Sequence, residues 1–403
     1  MIAEFPPTRT AALERLAAFT PKAGRDYTSG RNYDLPGHTH VSGLSPYIRH
    51  RLITETEVLE AVLGRYSLST AEKFIQELFW RTYWKGWLEM RPSIWGDYQR
   101  GVTGALNRVQ TESGLRQEWE AACSGETGIA AFDHWAQELV ETGYMHNHAR
   151  MWFASIWIFT LRLPWELGAD FFLRHLLDGD PASNTLGWRW VAGLQTRGKH
   201  YVARVSNISK YTEGRFGEGM YLNTQAAPLD GPPHPPRMDA PVGERLVSDK
   251  RTGLVLTEED LSPGFVLDRV QPVATCFLNA ASGRSPLAVS PRVMAFTDGA
   301  MADCQARYGA RLGPVTGPLS DPQAVADWAR DQGLEQIVLP YPPVGPAAER
   351  MAAVARALEG EVSVVRLLRQ YDAMCWPAAT AGFFKFKEKI PRFVGELKGL
   401  RAA

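Results

Sequence analysis

Up to about residue 215 the apolar positions recur at three- and four-residue spacing; after residue 250 they gather into short blocks between helical stretches. The helical pattern runs from Glu72 to about Met90, and Ser69-Thr70-Ala71-Glu72 has the form of a capping box opening it. Residues 132–140 predict a second helix, closed by Gly143. Residues 145–161 and 165–177 predict two more. Asp180-Pro181 then places an N-cap before a proline at the first helical position and starts another. The stretch TQAAPLDGPPHPPRMDAPVG (224–243) is rich in Pro and Gly, has no periodicity, and reads as a linker. Beyond it, β-type runs at 253–257, 272–277, 336–340 and 361–367 alternate with helical patterns at 321–332 and 346–358. Such alternation predicts a mostly parallel sheet covered on both faces. The expected organisation is a helical domain over 1–223, a linker over 224–243 and an α/β domain over 244–403.

Composition narrows the classes. With 403 residues and 45% hydrophobic content the chain can build two cores. A formal net charge of zero gives no global sign of a nucleic-acid partner, although a neutral chain can carry a local basic groove. The N-terminal MIAEFPPTRT lacks the apolar core of a signal peptide, and the apolar run 151–161 is too short to span a bilayer. A soluble, cytoplasmic chain with no membrane partner is expected. Cys123, Cys276, Cys304 and Cys375 stand singly, which argues against zinc or an iron–sulfur cluster and for free thiols in a reducing compartment. His38-x-His40 and His146-x-His148 lack a third ligand at motif spacing, so no metal is expected. No GxSxG, P-loop or HExxH occurs, and the second half has no Gly-rich dinucleotide fingerprint. Most of the 13 Trp lie before residue 200; core filling explains any one of them, while their number invites stacking or electron transfer.

Three groups could carry chemistry. Glu77, Trp80, Arg81 and Trp84 share one helix face by their i, i+3, i+4, i+7 spacing. They form either a surface Glu–Arg pair with Trp packed nearby or a wall that stacks and hydrogen-bonds a planar polar ligand. Asn147, Arg150, Met151 and Ala154 share another face. The run LDGDPASN (177–184) sets two acids on a turn at a helix start, a pattern that caps and turns also use. A buried Arg150 needs an acid partner, which Asp178 or Asp180 could supply.

These strings also resemble a known family. YMHNHARM (144–151) is similar to the M-H-N-x-x-R-M segment of the cryptochrome/DNA photolyase superfamily, and LLDGDPASNTLGWRW (176–190) to its L-x-D-G-D-x-A-x-N-x-G-x-W-x-W segment. ELFWR (77–81), SGLSPY (42–47) and GETG…D (125–133) resemble three further elements in the same order, the whole covering about residues 5–215. The resemblance implies an all-α, FAD-binding photolyase-like domain followed by an α/β, Rossmann-like domain. By that likeness Tyr27, Ser42, Leu44 and Ser45 would wrap the FAD phosphates and ribose, with Phe74 beside them where many members carry Trp. A helix N-terminus after that loop would suit the pyrophosphate. Arg81, Asn147, Arg150, Asp178, Asp180 and Asn184 would surround the isoalloxazine and adenine. Asn184 matches the residue facing flavin N5, where Asn is photolyase-like, Asp marks plant cryptochromes and Cys animal ones.

Glu77, Trp80, Asn147, Met151 and Trp190 match a pocket for a flipped pyrimidine dimer, in which aromatic walls stack extruded bases and polar groups bond their edges. (6-4) repair enzymes carry His at the Asn147 and Met151 positions, so the implied substrate is the cyclobutane dimer. Trp188 and Trp165 match the first two members of an electron-transfer chain; its third lacks a Trp near residue 112, leaving Trp119, Trp135, Trp152 or Trp157 as candidates. Arg204 and Asn207 match DNA-backbone contacts, Arg197 and Lys199 could extend a basic rim, and His148 replaces a common DNA-touching Arg. Thr160 stands where many members carry an acid that partners the Arg150 position, and Val41 where Thr is common.

The second half resembles the antenna domain that usually precedes the helical one: 253–263 sits at a first strand, 270–279 is similar to a second, 336–358 to a later strand and helix, and 380–393 to a closing segment. The implied arrangement is a circular permutation; the alternative is an unrelated Rossmann-like domain. No antenna chromophore can be named from it. The implied function is FAD-dependent, light-driven repair of cyclobutane pyrimidine dimers by a monomeric enzyme whose partner is damaged DNA, with the cofactor supplying the electron. The alternatives are a cryptochrome-like blue-light photosensor without repair activity and a light-independent flavoprotein.

Overall fold

The computed structural model describes residues 5–399. Helices fill the chain to Tyr211, and among the described residues strands begin at Thr252. The helix Glu72–Glu89 buries Phe74, Ile75, Leu78, Phe79 and Tyr83. It opens without the expected capping box. Ser67 Oγ accepts the Thr70 N–H at 3.2 Å, forming a turn that defers the helix, and Ala71 stands at the N-cap. A capping box does form at Thr54 and Glu57, ahead of the helix Glu55–Leu63. Ala130–Thr142 ends on Gly143 at φ 71°, a left-handed position that suits glycine. The helix expected over 145–161 is Asn147–Ser155, continued by a π turn over Ile156–Thr160. Asp180 caps Pro181–Ala192, its Oδ1 accepting from Ser183 N at 2.8 Å.

The strands β1 (Thr252–Thr257), β2 (Thr275–Leu278), β3 (Val315–Leu319), β4 (Gln336–Pro340) and β5 (Ser363–Leu367) form one parallel sheet in the order 3-2-1-4-5. The alternating pleat divides its side chains between two cores. Leu254, Leu256, Phe277 and Val338 join a core continuous with the helical half, while Val255, Cys276, Leu278, Ile337 and Leu339 pack against the helices Pro322–Asp331 and Pro346–Ala357. The sequence pattern did not reveal β3. It is an edge strand, half exposed and interrupted by Gly317-Pro318, so it lacks the apolar run that marks a buried strand.

Residues 212–251 form no helix or strand. They run against the helical half, with Leu229 N donating to Ala192 O and Met238 N to Met90 O. After Leu367 the chain returns to the helical half: Phe383, Phe386, Ile390, Phe393 and Val394 enter the core that holds Phe79 and Tyr83.

A seam of buried charge joins the halves at the carboxyl end of β1. Arg49 donates to both oxygens of Glu259 at 2.7 and 2.6 Å, and its Nε to Gly179 O at 2.8 Å. His50 Nδ1 lies 2.8 Å from Glu258 O, and Leu261 N donates to His50 O. Arg51 reaches Asp260 at 3.1 Å, Asp372 at 2.7 Å and Glu55 at 3.2 Å. Three successive residues of one half thus zip onto three of the other. Burial works against the charge on Glu259, but Arg49 and Lys85 outweigh it and hold the carboxyl at about 2. Beside it, burial and the Glu259 charge push the Glu258 carboxyl up.

Candidate functional site

A cavity of about 540 Å³ lies within the helical half. One wall is the loop Ser42–Ser45, where Gly43 adopts φ 60°. A second is the face of Glu72–Glu89 that carries Glu77, Trp80, Arg81 and Trp84, and a third holds Asn147, Arg150 and Met151. The turn bearing Asp178 and Asp180, followed by Asn184, Trp188 and Trp190, closes it; Tyr27 and Phe74, packed edge to face at 5.3 Å, lie at one side. The structure therefore gathers around one space all the residues assigned by resemblance to the cofactor and to the lesion pocket.

The charges are arranged with some acceptors left over. Arg150 Nη2 donates to Asp178 Oδ2 at 2.8 Å and Nε to Met145 O at 2.9 Å, so Asp178 is the acid partner that Arg150 needs. Thr160 Oγ1 accepts instead from Asn223 N. Asp178 Oδ1 and Asp180 Oδ2 are buried without a hydrogen bond, although Lys85 Nζ stands 3.1 Å from Asp180 Oδ2 and Arg49 and Arg81 each 3.8 Å away. Burial alone would raise the Asp180 carboxyl; Lys85, Arg81 and Arg49 together hold it well below the usual carboxylate range. Glu77 and Arg81 share a face but do not pair: Glu77 binds Arg31 at 2.6 Å, and Arg81 binds Glu55 at 2.7 Å. Burial pushes the Glu77 carboxyl up, with Arg31 partly offsetting it. Asn184 lines the cavity, with its Nδ2 donating to Ala169 O at 2.8 Å.

This lining fits FAD. Asp178 Oδ1, a buried acceptor without a donor, needs a ligand that offers N–H or O–H groups, which the flavin ring, ribityl chain and adenine supply. Gly187 also lines the space, and a Cβ there would meet nothing within 4 Å, so a side chain would enter the room a ligand needs.

Other expected residues lie elsewhere. Trp188 lines the cavity and contacts Phe172 at 5.1 Å and Trp157 at 6.2 Å, whereas Trp165 packs on Tyr98 at 5.9 Å, and Tyr98 on Trp95 at 5.2 Å. Of the four candidate third members, Trp157 is the one touching Trp188; Trp135 stacks on Trp152. His148 does not offer a cation to DNA. Its ring stacks on Trp152 at 4.0 Å, its Nδ1 lies 3.0 Å from Asn32 O, and burial lowers its pKa. Asn207 is likewise turned inward, accepting from Trp152 Nε1 at 2.9 Å, while Arg197, Lys199 and Arg204 are exposed. Asp133 accepts from Thr127 N, Thr127 Oγ1 and Gly128 N, so the 125–133 element is a local knot outside the cavity. Sequence reasoning missed Lys85 and Arg49, which hold Asp180, and Phe383, whose ring lies on Trp80 with centroids 3.6 Å apart. Lys85 lies on the Glu72–Glu89 helix one turn beyond Arg81, a spacing that could have flagged it.

Residues 74–228 match the family model described as the FAD binding domain of DNA photolyase. The deoxyribodipyrimidine photo-lyase of Alkalihalophilus pseudofirmus is 32% identical over 224 residues, 55% of this chain and 45% of that protein. The Escherichia coli protein of the same name is 30% identical over 231 residues, 55% of this chain and 46% of its own length. A cryptochrome structure from Synechocystis covers 52% of this chain and 44% of that one at 24% identity, with a TM-score of 0.43. The matched region thus spans less than half the length of these relatives. Residues 74–228 are thus similar to the FAD-binding domain of the photolyase/cryptochrome family, and FAD is the cofactor that this match indicates. The second half of the chain is α/β, and no helix among the described residues is long and apolar enough to cross a membrane.

Proposed function

We propose that this chain is a light-driven DNA repair enzyme that holds FAD in the cavity and acts on cyclobutane pyrimidine dimers. The observation that carries the reading is the meeting of two residue sets in one space: acceptors suited to FAD, and Glu77, Trp80, Asn147, Met151 and Trp190 beside them. When bound and reduced, FAD supplies an excited-state electron donor. The chain's own groups do the rest. Trp80 and Trp190 offer flat faces to extruded bases, and Glu77 and Asn147 offer hydrogen bonds to their polar edges. Asp178 and Arg150 orient the cofactor from the opposite wall. The Gly193–Arg204 stretch, with Arg197, Lys199 and Arg204 exposed, offers cations for DNA phosphates. In this reading the α/β half is an antenna-like domain moved behind the helical one, and residues 224–243 make the new connection.

A photosensor is the second reading, favoured by the inward placement of His148 and Asn207, which removes two expected DNA contacts. The two are separated by binding. Trp80→Ala should weaken binding to dimer-containing DNA by about 1–3 kcal/mol, the range for losing a stacking aromatic. Glu77→Ala should cost a comparable amount, in the range of about 1–3 kcal/mol for removing a buried hydrogen-bond partner. Both should retain FAD and bind undamaged DNA nearly as wild type does. Equal binding of damaged and undamaged strands by the wild type would hand the lead to the photosensor.

A further inference from the structure

The segment FFKFKEKIPRF (383–393) is where the chain comes back to the helical half. It begins with the short helix Phe383–Lys387. Phe383 is buried and lies flat on Trp80, with ring centroids 3.6 Å apart and planes at 13°. Trp80 is itself a wall of the cavity. The next residue, Phe384, is 79% exposed. A lone exposed aromatic needs no explanation. This one stands beside a residue touching the proposed lesion pocket, and its neighbours are basic. The segment carries Lys385, Lys387, Lys389 and Arg392 against one carboxylate, Glu388, in a chain of zero net charge. Lys387 is committed to Glu72 at 3.0 Å; Lys385 is 76% exposed and only 3.6 Å from Glu388, a surface pair that a phosphate can displace. Lys389 is exposed as well.

An exposed ring among exposed cations is the combination with which proteins hold a nucleic-acid strand: the ring stacks on a base and the cations follow the phosphates. We infer that the Phe383–Lys387 helix and Lys389 form a DNA-strand contact at the edge of the cavity. Phe383 buttresses Trp80 from behind, Phe384 stacks on a base flanking the lesion, and Lys385 and Lys389 take the backbone. The inference rests on the DNA-repair reading and extends it to a surface supplied by the C-terminal part of the chain.

The test compares FAD-loaded wild type, Phe384→Ala and the double variant Lys385→Ala/Lys389→Ala. Each is titrated with a dimer-containing oligonucleotide and its undamaged counterpart at several salt concentrations. Both sites are exposed, so flavin content should not change. Phe384→Ala should weaken both complexes by about tenfold, within the range for losing one base stack. The double variant should flatten the plot of log affinity against log salt by roughly two contacts' worth. Variants that bind as wild type does would overturn the inference and leave the repair reading standing. A wild type that binds no DNA would overturn both.

Discussion

Charge is buried in two regions of this protein, and the two are finished differently. At the seam between the halves, Arg49, Arg51, Glu55, Glu259, Asp260, Arg369 and Asp372 meet one another at hydrogen-bonding distance. In the cavity, Asp178 Oδ1 is buried with no donor, and Asp180 Oδ2 is buried with cations around it but no aligned hydrogen bond. The contrast separates a network completed by folding from one left for a ligand to complete. Asp180 belongs to both: Lys85 joins it to Glu259, at 3.1 and 3.3 Å, and Arg49 stands between the same two acids, so the α/β half bears on this wall of the cavity through two cations. A loose end at the seam is Arg284, whose Nε and Nη2 lack partners and whose pKa burial and the Arg49 charge lower to about 10.

The contrast breaks most easily at the seam. Glu259→Ala leaves Arg49 buried without its bidentate partner and should cost about 3–5 kcal/mol, the range for breaking a buried pair. Chemical denaturation measures it, and a loss below about 1 kcal/mol would mean that the seam is not what fastens the halves. In the cavity the balance should reverse. Asp178→Asn replaces one acceptor oxygen by a donor NH2 and removes the charge beside Arg150, so FAD affinity should fall by about tenfold or more. The flavin-free protein should lose less stability than Glu259→Ala does, because Arg150 is part-exposed and keeps its bond to Met145 O. A variant that melts early and keeps its flavin would erase the distinction.

A smaller effect is expected with pH. His38 Nε2 lies 2.9 Å from Glu138, and its Nδ1 3.5 Å from Asp34. Burial opposes the charge on His38, but Asp34 and Glu138 outweigh it and raise the imidazole to about 9. The folded pKa is above the unfolded value near 6.5, so the stabilisation is complete below about pH 6.5 and is lost as pH rises through 9. The loss should be on the order of 1–3 kcal/mol, and His38→Gln should flatten that limb of the stability profile. An unchanged alkaline profile in the variant would place the titration elsewhere.

Much of the cavity was legible because its residues sit in short strings whose local geometry is set by helix spacing. Glu77, Trp80 and Arg81 on one helix, and Asp180 at a proline-started cap, need no long-range information to be placed on a common side. Their partners did need it. Glu259 lies 210 residues from Arg49, and neither tripeptide announces that its charges are buried, because burial is decided by what docks on them. The same holds for Phe383 on Trp80. Local chemistry also misled at Ser69–Glu72, where the motif is present but Ser67 captures the turn first. The π turn after Ser155 escaped for a related reason: apolar residues at 156–159 continue the helical pattern while the backbone widens.

The central claim is that one cavity holds both the flavin and the lesion. Its most direct test is to illuminate purified, FAD-loaded, reduced protein with blue light in the presence of an oligonucleotide carrying a cyclobutane thymine dimer, and to follow the return of intact thymines. Restoration that requires light, fails in the dark and collapses in Trp80→Ala despite retained FAD is the predicted result. A flavin-loaded wild type that binds the lesion but restores no thymine under illumination would contradict it.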